Sequence, residues 1–100
     1  SLSPYHLNDL AEYMRRHNAD ETAAAAWVMA ARQTPNPKEA SYFFNRCLLD
    51  RAATLIHLKK INEAQKCLGE LNEKDLPAYN RRLHTALLRL LSPQSPAPAK

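Results

Sequence analysis

A chain of one hundred residues with a single glycine, Gly69, has few ways to turn sharply. Tight β-hairpins and phosphate-cradling loops both place glycine where the backbone takes a positive φ, so all-β and dinucleotide-binding architectures are disfavoured from the outset. The seven prolines stand at positions 4, 35, 37, 77, 93, 96 and 98. They spare the apolar stretches between them, as helix boundaries require, because proline is tolerated in a first helical turn and breaks an interior. Hydrophobic residues make up 45% of the chain and charged residues 24%, the balance of a folded chain rather than a disordered one. This length predicts one domain around a single core.

The apolar spacing predicts five helices. Ser3 and Pro4 open the first, whose Leu7, Leu10, Ala11 and Met14 fall on one face at a 3.6-residue period, with Arg15, Arg16 and His17 opposing the macrodipole at its end. Asn18 to Asp20 makes a turn, with Asp20 the expected cap of a second helix that carries Ala23, Trp27, Ala30 and Ala31 along one side. Asn36, Pro37 and Glu39 form a capping-box arrangement that starts a third helix running to about Lys59. Its apolar residues, from Tyr42 to Leu58, cover more than one stripe, which predicts a central helix sandwiched between neighbours. A fourth helix buries Ile61, Ala64, Leu68 and Leu71, and Gly69 weakens its end. A fifth sets Leu83, Ala86, Leu87, Leu90 and Leu91 against a basic face of Arg81, Arg82 and Arg89, and stops at Ser92-Pro93. The folded domain is thus expected over residues 1–92, followed by a flexible Pro-rich tail over 93–100. Connections this short predict antiparallel hairpins.

The first hairpin resembles the tetratricopeptide repeat, a 34-residue helix–turn–helix with large and small residues at fixed offsets. Leu7, Leu10, Ala11 and Met14 match the first helix of that repeat, Ala23, Trp27 and Ala30 the second, and Pro35 the closing proline. A second match runs through Leu48, Ala52, Leu55, Ala64, Leu68, Leu71 and Leu76-Pro77, with Arg51 and Leu71 departing from the pattern. The two matches lie 41 residues apart, so the third helix holds about two extra turns. The last helix reads as a capping helix, polar on its outer side. The resemblance implies an all-α, superhelical stack of helical hairpins that binds another protein. Because about three repeats are usually needed for stability, it also implies that the long third helix makes up the deficit, or that the chain is part of a larger protein or of a constitutive homo- or hetero-oligomer.

In that family the ligand lies in a concave groove lined by the first helix of each hairpin. Carried over, the groove residues are Asn8, Glu12, Arg15 and Arg16, with Arg46, Asp50 and His57 from the long helix. They imply a partner helix or extended peptide, acidic where it meets Arg15, Arg16 and Arg46. Glu12 stands where the carboxylate clamp of some members needs an amide, which argues against that ligand. The family reading is an adaptor, scaffold or chaperone module.

Residues for catalysis are not grouped. His6, His17, His57 and His84 are scattered near helix ends as surface or capping residues, and no HExxH or GxSxG pattern occurs, so the chain is read as a non-enzyme with no cofactor and no metal site. Cys47 and Cys67 are too far apart for a CxxC pair and are either buried free thiols or an inter-helix disulfide. The net charge of +4 permits nucleic-acid binding. Arg15-Arg16, Lys59-Lys60 and Arg81-Arg82-His84 are the clusters that would carry it, but no aromatic is interleaved with them for stacking. Leu87-Leu88-Arg89-Leu90-Leu91 spells LxxLL, a spacing that also serves to dock a capping helix on a core. A third reading is a structural domain of a larger regulatory or envelope protein. Ala64-Gln65, Leu68 and Asp75-Leu76 are similar to the helical-repeat part of bacterial outer-membrane lipoproteins that activate penicillin-binding proteins. No apolar run approaches the roughly 20 residues of a membrane span. A cytoplasmic location is expected, or a periplasmic or secreted one if a leader has been removed.

Overall fold

The computed structural model describes residues 2–92; the expected tail over 93–100 lies outside the described residues. Five helices follow in order: α1 (Pro4–Arg16), α2 (Asp20–Gln33), α3 (Pro37–His57), α4 (Ile61–Gly69) and α5 (Ala78–Leu91). A single 3-10 turn, Glu73–Asp75, lies before α5, and among the described residues there is no strand.

The helix starts follow local chemistry. Ser3 accepts from the backbone N–H of His6, and Asn36 from those of Lys38 and Glu39. Two starts differ from expectation. Ala19 occupies the cap of α2, and Asp20 is the first helical residue, where its charge faces the positive end of the dipole. The Glu39 carboxylate accepts from the Tyr5 hydroxyl at 2.9 Å, and so joins α3 to α1.

The two hairpins turn in the same way. Asn18 and Lys59 each take a left-handed backbone, at φ 63° and 66°. In each case the next N–H reaches back five residues, Ala19 to the Met14 carbonyl at 2.9 Å and Lys60 to the Leu55 carbonyl at 2.8 Å. This arrangement satisfies carbonyls that the helix end would otherwise leave open.

Packing is sequential: α1 lies on α2, α2 on α3, α3 on α4, and α5 against α3 and α4. The molecule is elongated, 58 × 28 × 20 Å, with a radius of gyration of 14.7 Å. A compact chain of one hundred residues would have about 13 Å. The expected single core is in fact two. Leu7, Ala11, Ala23, Trp27, Ala30, Phe43 and Cys47 form one, between α1, α2 and the first half of α3. Leu49, Ala52, Leu68, Leu76 and Leu87 form the other, between the second half of α3 and the elements after it. Ala11 and Ala23 are wholly buried, so α1 and α2 approach closely, and Trp27 fills the space beside them.

The fifth helix sits in a different register from the one expected. Ala86 and Leu90 are exposed, and the inward face is Asn80, Leu83, His84, Leu87 and Leu91. Only Leu87 and Leu91 of the LxxLL leucines face the core, and His84 is buried rather than a surface residue. At the start of α4, Ile61 is also exposed.

Candidate interaction site

Five of the seven residues expected to line a groove meet where α1 faces α3. Arg46 Nη2 donates to both carboxylate oxygens of Glu12, at 2.9 and 2.8 Å, and Arg15 Nε donates to the same carboxylate at 3.2 Å. The Arg46 guanidinium lies over the Trp27 ring, 4.9 Å from its centroid, and the indole N–H of Trp27 donates to Asn8 Oδ1 at 2.9 Å. Tyr5 and Glu39, like Glu12 and Arg46, are paired across 34 residues of sequence.

These contacts alter the expected roles. Arg46 is 3% exposed and Asp50 is buried, so neither is presented to an incoming partner as a groove-lining charge. Asn8, Glu12 and Arg15 are half-buried and spend their polar atoms on one another and on Trp27. Arg16 and His57 are exposed and take no part in the network. Asp50 completes the cluster from one turn beyond Arg46. Burial pushes its carboxyl up to about 6, helped by repulsion from Asp20 and opposed by Arg46 and Arg15. One of its oxygens has no hydrogen-bond partner among the described residues.

A different surface holds exposed apolar side chains. A cleft of about 750 Å³ lies along α2 and α3, lined by Ala24, Ala25, Val28 and Met29 on one side and Phe44, Cys47 and Leu48 on the other. Met29 is 49% exposed and Phe44 43%. Glu21, Arg32, Arg51 and Glu70 stand around it, two acids and two bases. The cleft follows from the sequence of α2, where alanines on both flanks of the helix leave little bulk between Trp27 on the inner face and Met29 on the outer one. Adjacent residues on a helix point about 100° apart, and of the pair Phe43 and Phe44 only Phe43 is covered.

Both cysteines are free. Cys47 is buried, with its sulfur 3.8 Å from the Ala24 carbonyl, and burial raises its pKa. Among the described residues no group of His, Cys, Asp or Glu is arranged to hold a metal ion, and no helix is long and apolar enough to cross a membrane. Comparison with family models, with curated proteins and with solved structures finds no match for this chain.

Proposed function

We propose that this chain is a non-enzymatic protein-interaction module of tetratricopeptide-like helical hairpins. It takes an amphipathic helix of another protein into the cleft along α2 and α3. The observation that carries this reading is the cleft itself. Met29, Phe44, Val28 and Leu48 bring apolar surface to solvent in one place, on a rigid pair of packed helices. Contiguous exposed apolar surface with a polar rim is what partner-binding sites offer. A balanced rim of two acids and two bases demands no net charge of the occupant, so affinity comes from apolar anchors.

The hairpin reading is supported by the 34-residue spacing of both α1–α3 pairings, which equals the repeat length of the family. The matching left-handed turns at Asn18 and Lys59 support it further.

A photoreactive side chain at Met29 tests the proposal in the native cell, with a second probe at Tyr13 on α1. The Met29 probe should capture a protein that then binds the purified chain. Met29→Asp and Phe44→Asp should each weaken that binding at least tenfold with the helical circular-dichroism signal unchanged. Capture from Tyr13 alone, with affinity indifferent to Met29→Asp, would move the partner to the other face and overturn the assignment.

A further inference from the structure

The excess charge of this chain is confined to its end. Residues 1–75 carry ten basic and ten acidic side chains, and no Asp or Glu follows Asp75. The whole net charge of +4 therefore arises from Arg81, Arg82, Arg89 and Lys100, and the three arginines lie on α5.

The fold gathers those arginines on one side of α5. Arg81, Arg82, Thr85, Ala86 and Arg89 line a shallow depression of about 390 Å³, and all five are exposed. Arg81 is anchored, with Nε donating to the Leu76 carbonyl at 2.7 Å. Neither ion pair found among the described residues involves an arginine of α5, since both belong to Glu12. Beside the depression Leu90 and Tyr79 are exposed, at 62% and 60%.

We propose that this face of α5 is a second docking site, which takes an acidic amphipathic helix from another protein. Charge complementarity selects the occupant. Arg82 and Arg89 are seven residues apart, about 10.5 Å along the helix axis. Carboxylates seven residues apart on a helix lying alongside have the same spacing, and each can accept two hydrogen bonds from a guanidinium. Ala86 supplies apolar contact between those charges and the exposed Leu90 adds more beside them, which favours a protein helix over a phosphate backbone. Tyr79, near Arg82, is the one aromatic at the edge of the stripe, and nucleic acid is the competing outcome of the test. This site is separate from the α2–α3 cleft and does not depend on it.

The test uses the full chain and two labelled synthetic peptides, followed by fluorescence anisotropy at low ionic strength. One peptide is a helix with glutamates at i and i+7 around a leucine–alanine stripe; the other has the same composition with the glutamates scrambled. The ordered peptide should bind more tightly, and added salt should weaken it. Arg82→Glu with Arg89→Glu should reduce its affinity at least tenfold. Ala86→Trp, which fills the depression and keeps every charge, should reduce it to a similar extent. Met29→Asp should leave it unchanged, so failure of the cleft proposal and failure of this one are distinguishable. The proposal is overturned if the ordered peptide does not bind, if it binds no better than the scrambled one, or if the paired arginine variant binds it normally. It is equally overturned if a single-stranded oligonucleotide binds more tightly than the peptide and displaces it.

Discussion

Arg46 and Glu12 form a two-pronged ion pair across α1 and α3, with the guanidinium almost wholly buried and the carboxylate partly open to solvent. Such a pair adds modest net stability while intact, because both groups were desolvated to make it. Its loss is asymmetric. Glu12→Ala leaves a buried guanidinium over Trp27 with no carboxylate, and should destabilise the fold by about 3 kcal/mol. Replacing both partners with apolar residues, Glu12→Leu with Arg46→Met, should recover most of that loss. Denaturant midpoints of the single and double variants check this. Equal losses in both would mean that the pair itself, and not the orphaned charge, carries the energy.

Asp50 gives the stability a dependence on pH of definite sign. Its folded pKa, about 6, lies above the ordinary value of 3.8. The folded chain therefore holds this proton more tightly than the unfolded chain, and the contribution is fully present below 3.8. It is lost as the pH rises through 6. At neutral pH the ionised carboxylate should cost about 3 kcal/mol. Asp50→Asn should then stabilise the protein by about that amount at pH 8 and have little effect near pH 4. Urea titrations at the two pH values read this directly; a constant difference would show that Asp50 does not titrate between them.

Lys59 is the residue whose backbone asks for glycine, and Gly69 is the glycine whose backbone does not. Lys59 holds φ at 66°, which disfavours a residue with a Cβ. Lys59→Gly should stabilise by about 0.5–1 kcal/mol. Gly69 closes α4 at a negative φ with open space where a Cβ would stand, so Gly69→Ala should add about 0.5–1 kcal/mol through the unfolded state. The two changes are far enough apart to add. Thermal melts of each variant and of the pair measure this. A destabilised Lys59→Gly protein would mean that the lysine side chain makes a contact its exposure does not suggest.

How much of this architecture is legible in the residues depends on whether a side chain's partner is near it in sequence. The first hairpin is readable because Leu7, Ala11, Ala23 and Trp27 repeat at helical spacing, and all four are buried. Periodicity counts apolar residues, so it passed over Asn45, which the fold buries to 1%. The Asn45 side chain donates to the Asn72 carbonyl at 2.9 Å and accepts from the Asn72 N–H at 3.0 Å, which pins the segment after α4 against α3. That partner is 27 residues away, and nothing local announces it. On α5 apolar spacing alone gives the core to the leucines and His84 to the surface, whereas the fold buries Asn80 and His84 and turns Ala86 and Leu90 outward. Asn8, Glu12, Arg15, Arg46 and Asp50 lie together where α1 faces α3, while Arg16 and His57 do not join them. Their use on one another was not legible, because charge pairing across α1 and α3 is a property of the packed helices. Phe44 is the converse case. A helix apolar on several sides does not reveal which of them a neighbour will cover, and the open side became the cleft.

The length of α3 has a consequence for how such a molecule can change. α3 has 21 residues where α1 has 13, and it passes from one core into the other. Each residue added to a helix advances it by 1.5 Å and turns everything beyond by 100°. One residue inserted between Cys47 and Leu49 would therefore swing Leu49 and Ala52 a quarter-turn or more away from Leu68 and Leu87. Seven residues fall only about 20° short of two full turns. The two left-handed turns are 41 residues apart, seven more than the 34-residue repeat. The distance between the two cores is thus quantised. Descendants of this sequence can lengthen or shorten the molecule in steps of about a heptad, and intermediate lengths would point the second half in the wrong direction.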